Sequence, residues 1–296
     1  MKQTLLVLAL VLILGSCKTE KKESITEKIN HDGTMETKVK LSNKQKTLAV
    51  LKSIETGDQT AIAYINPTNY IQHNLGVEDG LAGFGALLEH APEGGFKVNN
   101  IRAFEDGDYV FAQTQYDFFG PKIGFDIFRF ENGLIVEHWD NLTVTTTENP
   151  SGHTQIDGTT TVTDLNKTDA NKALVSKFLI NVLINGKMSE ITNYFNADQY
   201  IQHNSNIGDG LSGFGKAVEA MAKQGITMEF TTLHKVLGEG NFVLTITEGT
   251  FAGEPTSYYD LFRVENDKIA EHWDVMETIT PEEDRKNANG KFNFPK

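Results

Sequence analysis

The chain is 296 residues long, 39% hydrophobic and 23% charged, with a net charge of −13 at pH 7. That length suits about two globular domains. The 40 acidic residues outnumber the 27 basic ones, which argues against nucleic acid as a partner, and a single cysteine excludes an internal disulfide or a cysteine-built zinc site.

The first 17 residues, MKQTLLVLALVLILGSC, hold one Lys, an apolar run from Leu5 to Leu14 and small residues before Cys17. This reads as a secretory signal, too short for a stable membrane span. It resembles a bacterial lipoprotein signal whose lipobox is Leu14-Gly15-Ser16-Cys17. The resemblance implies cleavage before Cys17, acylation of its thiol, and an exported protein anchored to a membrane and facing the periplasm or the cell surface. The alternative is an ordinary signal peptide with an incidental cysteine. Several acyl chains, at about 0.8 kcal/mol per buried methylene, anchor firmly where one is marginal. Residues 18–42 mix charges with few apolar side chains and read as a flexible, solvated tether.

Beyond the tether the chain repeats itself. YIQHNLGVEDGLAGFG at 70–85 matches YIQHNSNIGDGLSGFG at 200–215 in 11 of 16 positions, and DIFRFENGLIVEHWD at 126–140 matches DLFRVENDKIAEHWD at 260–274 in 10 of 15. Two domains are therefore expected, at 43–147 and 168–280, joined by a polar linker at 148–167 and followed by a polar, loose tail at 281–296. Each opens with a helix: Leu48, Leu51 and Ile54 recur at helical spacing before Gly57, and Leu174, Phe178 and Val182 before Gly186. A short second helix leads to YIQHN, itself a brief strand. A third helix starts near Asp79-Gly80 or Asp209-Gly210. The period then falls to two over 96–105, 108–119, 123–130 and 134–145, with turns at Asp106-Gly107, Gly120-Pro121 and Asn132-Gly133. Three helices before a meandering antiparallel sheet make an α+β domain, a curved sheet wrapped around helices into a cone whose mouth holds a small ligand.

This order, with YIQHN, DGLxGFG, DxFRxEN and EHWD, resembles the SnoaL-like branch of the nuclear-transport-factor-2-like superfamily, which also contains ketosteroid isomerase and the polyketide cyclases. The likeness covers 43–147 and 168–279. It implies two tandem cone-shaped α+β barrels. Aligned on the resemblance, Asp126 and Asp260 match the isomerase aspartate that is kept protonated to stabilise an oxyanion. His73 and His203 fall near its general base, and Asp140 and Asp274 match the acid/base aspartate of the cyclases. The isomerase's first-helix tyrosine is replaced by Val50 and Leu179, which argues against a steroid isomerase.

Hairpin register decides which of these groups cooperate. A three-residue loop at Glu131-Asn132-Gly133 pairs Phe130 with Leu134, Phe128 with Val136 and Asp126 with His138, so Asp126, Phe128, His138 and Asp140 share a face. A two-residue loop sets Asp126 beside Trp139 instead, because a one-residue slip flips every side chain. The three-residue register is preferred because it gathers the aromatic residues and carboxylates into one cup. Trp139 and Trp273 then fall on the opposite face, as core or as an interface between the domains.

Each candidate has a chemical and a structural reading. His73 and His203 serve as general bases near neutral pH, or as buried histidines fixing a strand to a neighbouring carbonyl. Asp126 and Asp260, flanked by apolar residues, have raised pKa values and donate to an enolate-like oxygen, or they form ion pairs. His138–Asp140 and His272–Asp274 form a second acid/base pair or a strand-end hydrogen bond. Tyr70, Gln72, Asn74 and Phe128, with Tyr200, Gln202, Asn204 and Phe262, orient a substrate, or the polar ones among them pair the strand edge. Two His with Asp also suit a facial metal site, but no HxH or HExxH spacing accompanies them, and neither a metal nor another cofactor is assigned. DGLAGFG lacks the Lys of a phosphate loop.

The expected function is an exported lipoprotein with two pockets for a small apolar carbonyl compound, catalysing proton abstraction next to the carbonyl as an isomerase, cyclase or aldol-type lyase. The competing expectation is a non-catalytic ligand-binding or scaffold lipoprotein. The expected partners are that ligand and the membrane through Cys17, with the two domains packed on each other as in a fused homodimer.

Overall fold

The computed structural model describes the backbone of residues 25–29 and 35–295, and the side chains of 40–295 apart from Leu87. Cys17 and its lipobox lie outside the described residues. The chain divides into two compact units. The first, residues 1–42, contains strands β1 (Ile25–Ile29) and β2 (Met35–Val39), paired antiparallel with Ile25 opposite Val39. These strands fall in the segment that composition marks as a tether; its Ile, Thr and Val residues supply a strand preference that the charges obscure.

The second unit, from Asn43 onward, contains both repeats. Repeat one runs α1 (Asn43–Thr56), α2 (Gln59–Ile62), β3 (Ile71–Gln72), α3 (Gly80–Glu89), β4 (Lys97–Asp106), β5 (Tyr109–Asp117), β6 (Pro121–Glu131) and β7 (Leu134–Val144). Repeat two runs α4 (Thr168–Phe178), a wider helical turn over 179–184, β8 (Ile201–Gln202), α5 (Gly210–Lys223), β9 (Met228–Glu239), β10 (Phe242–Phe251), β11 (Glu254–Glu265) and β12 (Lys268–Thr278). Two five-stranded sheets result, ordered β3-β7-β6-β5-β4 and β8-β12-β11-β10-β9. The short first strand of each runs parallel to its neighbour and the remainder are antiparallel. The α+β class and the cone architecture expected from the repeats are observed.

One core fills each cone, with Val50, Leu51, Phe128 and Phe130 in the first and Val175, Leu179, Phe262 and Val264 in the second. A further core lies between the two sheets. There Phe111, Phe125, Ile127 and Trp139 of one sheet meet Leu244, Tyr259, Leu261 and Trp273 of the other. Strand β6 is therefore buried on both faces over residues 123–128, where Ile123, Phe125 and Ile127 face the other sheet and Asp126 and Phe128 face the cone. Asn141 crosses the junction, donating to the carbonyls of Ser257 (2.8 Å) and Val275 (3.0 Å).

The β6–β7 hairpin corrects the expected register. Glu131 pairs with Leu134 around a two-residue turn, in which Asn132 (φ 52°) and Gly133 (φ 79°) both have positive φ, the pattern of a type I′ turn. A bulge then leaves Val136 as an extra residue, so that Phe128 pairs with His138 and Asp126 with Asp140. The expected register set Asp126 against His138. The observed register differs from it by two residues, an even shift that preserves the face. Repeat two repeats the device, with Asn266-Asp267 in the turn and Asp260 opposite Asp274.

The linker and tail are docked rather than loose. Asn149 donates its amide to the carbonyls of Gln202 (2.6 Å) and Ile207 (3.0 Å), while Asn287 donates to those of Asn74 (2.7 Å) and Val77 (2.8 Å). The two stretches read Asn149-Pro150-Ser151-Gly152 and Asn287-Ala288-Asn289-Gly290, so the straps themselves are repeated. Each strap follows one repeat in sequence and closes over the YIQHN of the other. Buried carbonyls need donors, and the Asn side chains supply them.

Candidate active site

Parallel pairing of β8 with β12 places Gln202 beside His272, on the face that lines the second cone. A chain of hydrogen bonds follows. The Gln202 amide donates to the Tyr200 hydroxyl (2.8 Å), its carbonyl accepts from His272 Nδ1 (3.0 Å), and His272 Nε2 lies 3.0 Å from Asp260 Oδ1. With Nδ1 committed as a donor, a proton between Nε2 and Asp260 completes the contact. Asp274 stands directly opposite Asp260 and accepts from the Asn204 amide (2.7 Å). Burial pushes the Asp274 carboxyl above its ordinary range, opposed by His272 and reinforced by the Asp260 charge. Phe262 stacks on His272 with centroids 4.8 Å apart.

Repeat one has the same ladder. His138 Nδ1 is 3.2 Å from the Gln72 carbonyl, His138 Nε2 is 3.3 Å from Asp126 Oδ1, and Asn74 donates to Asp140 Oδ2 (2.9 Å). Burial raises Asp126, against the hydrogen bond and charge of His138. Tyr70, Gln72, Asn74, Phe128, Asp126, His138 and Asp140 all line one cavity, and their seven counterparts line the other.

His73 and His203 depart from the expected general-base role, because they sit on the opposite face. Gln72 and Gln202 take the pocket side, and successive strand residues alternate. His73 Nδ1 donates to the Gly290 carbonyl (2.7 Å), and its ring stacks on Trp139 at 4.3 Å. His203 Nδ1 lies 2.9 Å from the Thr154 carbonyl, and its ring stacks on Trp273 at 4.6 Å. Both are buried and neither lines either of these two cavities. The structural reading of these histidines therefore holds: they fix the YIQHN strand to a strap.

The cavities themselves differ. The second measures about 1010 Å³, walled by Phe178, Val182, Phe195, Leu211, Phe214 and Met221 around the polar ladder, whereas the first measures about 140 Å³. The strand registers locate a cause. Tyr116 of β5 stands where Gly249 stands in β10, and Gly124 of β6 stands where Tyr258 stands in β11. In repeat one the Tyr116 ring lies across Gly124, where an added Cβ would come within 2.5 Å of it, and its hydroxyl donates to Asp126 Oδ2 (2.8 Å). In repeat two the Tyr258 hydroxyl turns away to the Thr250 carbonyl (2.7 Å). Asp260 Oδ2 is then buried without a hydrogen-bond partner, as is the hydroxyl of Thr245 directly opposite. Ala112 takes the place of that threonine in repeat one. The Tyr–Gly exchange was missed from sequence because it falls outside both blocks of high identity. Setting 109–117 against 242–250 would have shown the loss of a ring.

No family model matches the chain, and no curated protein matches it. Solved structures do. A nuclear-transport-factor-2-like protein of unknown function from Cytophaga hutchinsonii is 16% identical, with 36% of this chain and 94% of that one covered and a TM-score of 0.32. A protein of unknown function with a cystatin-like fold from Xanthomonas campestris is 22% identical over 34% of this chain and 89% of its own, with a TM-score of 0.30. A SnoaL-like polyketide cyclase from Agrobacterium tumefaciens is 14% identical over 36% and 91%, with a TM-score of 0.30. The chain is similar to nuclear-transport-factor-2-like and SnoaL-like proteins, and the likeness is one of fold.

Proposed function

We propose that the second cone binds a small, largely apolar carbonyl compound and moves a proton at the carbon beside that carbonyl, giving isomerase or cyclase chemistry. The observation that carries this reading is the Asp260–His272–Asp274 cluster, with Asp260 and His272 buried and Asp274 half-buried, on the wall of a cavity of about 1010 Å³. Asp274, raised by burial, is the proton acceptor; a base works best with its pKa near the working pH. The proton shared between Asp260 and His272 passes to the ligand's oxygen as negative charge develops there, and returns to the pair when the carbonyl re-forms. Return of the proton at another carbon yields the isomer, and attack by the enolate on a second carbonyl yields a ring whose new alkoxide takes that proton.

Exchange of the α-protons of 2-tetralone in deuterium oxide, followed by proton NMR, tests this. Exchange faster than buffer, lost in Asp274→Asn and reduced in Asp260→Asn, supports the reading. Exchange equal in wild type and both variants removes it. One observation favours the sequestering alternative: repeat one keeps the same ladder around a cavity too small for such a ligand. Binding of 2-tetralone without exchange would select that alternative.

We also propose export and lipid anchoring through Cys17, on the strength of its lipobox. Partition of the wild-type protein into a detergent phase, lost in Cys17→Ser, tests it.

A further inference from the structure

The strap at 148–167 brings a second cluster onto the outer face of repeat two, on the other side of the sheet from the cavity. His153, Asp157 and His203 each offer a ligand atom, and these atoms lie within 4.8 Å of one another. Nδ1 of His203 is 2.6 Å from Asp157 Oδ1, and Nδ1 of His153 is 3.8 Å from Asp157 Oδ2. The far nitrogen of each imidazole also meets a carboxylate: His203 Nε2 is 2.9 Å from Glu271 Oε1, and His153 Nε2 is 3.1 Å from Asp209 Oδ2.

We propose that His153, Asp157 and His203 bind a divalent ion of the zinc class, which staples the strap to the second cone. Two imidazoles and a carboxylate are a donor set that zinc favours, and ligands about 2 Å from a tetrahedral ion lie about 3.3 Å apart. The two histidines lie either side of that spacing from the Asp157 carboxylate, His203 at 2.6 Å from Oδ1 and His153 at 3.8 Å from Oδ2, and one ligand atom from each residue falls within 4.8 Å of the others. An imidazole that ligates through one nitrogen characteristically donates its other N–H to a carboxylate, which fixes the tautomer and raises ligand basicity. Here both histidines have that outer partner. Glu271 is in turn held by Arg263 Nε (2.6 Å), and Asp209 by the backbone N–H of Gln202 (2.9 Å).

The strap's own conformation is also set by its surroundings. Arg102 of repeat one donates to the carbonyls of Ile156 (3.1 Å) and Asp157 (2.8 Å), and the Trp273 indole donates to Asp157 as well (3.0 Å). Gly158 follows at φ +87°, where a Cβ would come within 2.1 Å of Glu271 Oε1. Asp157 and Asp209 have no Lys or Arg ion pair among the described residues, only these histidines. The first cone lacks the set, since Lys291 stands in its strap where His153 stands in the other. In the binding step the proton on His203 Nδ1, now shared with Asp157 and the Thr154 carbonyl, is released to solvent as the lone pair takes the metal.

The site is independent of any chemistry in the cone. Full-length protein stripped with a chelator and titrated with zinc against a chromophoric competitor tests it. The expected result is one tight equivalent per chain, weakened more than about tenfold in His153→Ala and in Asp157→Ala and unchanged in His234→Ala. Zinc should also slow hydrogen exchange of the strap amides around residues 153–158. Both substituted ligands are only partly buried, with side-chain exposures of 31% and 43%, so the variants retain the core. No saturable binding, or binding equal in wild type and both ligand variants, overturns the proposal and leaves a histidine–carboxylate ion-pair network.

Discussion

Tyr116 donates its hydroxyl to Asp126 across 2.8 Å, filling from within the chain the space that is open in the other repeat. The hydroxyl satisfies the oxygen whose counterpart on Asp260 has no partner. Tyr116→Phe removes only that donor. A buried acceptor left unsatisfied costs about 1–3 kcal/mol, so urea unfolding should show a loss of that size, while 2-tetralone binding in the second cone is unaltered. A variant as stable as wild type would show that the bond contributes nothing.

Asn204 bears on the second cone's chemistry. Its amide stabilises the ionised form of Asp274, whose carboxyl burial has already raised. Asn204→Ala should therefore raise that pKa further, read from the carboxyl carbon shift in an NMR titration. A group raised on folding favours the fold in its neutral form. Its contribution is fully present below the unfolded value of 3.8 and is lost as pH climbs through the folded one. A lower pKa in the variant would count against the assigned donor.

The opposite sign applies to Glu271. Burial alone would raise it, but hydrogen bonds from His203 and Arg263 and the Arg263 charge outweigh burial and hold it below its usual 4.5. Its contribution is present above that value and disappears as pH falls through the folded pKa. Glu271→Gln should cost about 3 kcal/mol at neutral pH, by stranding its partners. It should also flatten the loss of stability on acidification below pH 4.5, the ordinary value for this carboxyl. An unchanged acid slope would assign that loss to other carboxylates.

Gly158→Ala tests the strap directly. The positive φ and the Cβ approach to Glu271 make the substitution strained, and about 1–3 kcal/mol is expected. The loss should appear as faster exchange of strap amides before any change in the sheets. A variant with wild-type exchange would show that the strap accommodates a side chain there.

Much of the fold was legible in the sequence because it rests on periodicity: Leu48, Leu51 and Ile54 mark a helix, and the alternation through 126–140 marks a buried strand. The face carrying Asp126, His138 and Asp140 was legible too, although the pairing was not. Nothing in the residues around Val136 announces a bulge, and only the bulge reconciles a two-residue Asn132-Gly133 turn with that face. The side of the sheet taken by His73 was hidden for a different reason. A strand of two residues, Ile71–Gln72, is too short to show a period, so its facing is set by pairing with β7. The straps were hidden by composition. Asn, Ser and Gly mark a loop, and their duties as donors appear only once Gln202 and Asn74 present their carbonyls.

The crossing of the straps has a consequence for biosynthesis. Domains emerging from a ribosome generally fold in the order they are made, yet Asn287 and Gly290, which close over Asn74 and His73, are synthesised only after the whole second repeat. The second cone receives its strap before its own strands are complete, whereas the first must wait until the second repeat has been made. The half made first is thus the half finished last, and a chain stalled before Asn287 should present its first YIQHN segment to protease.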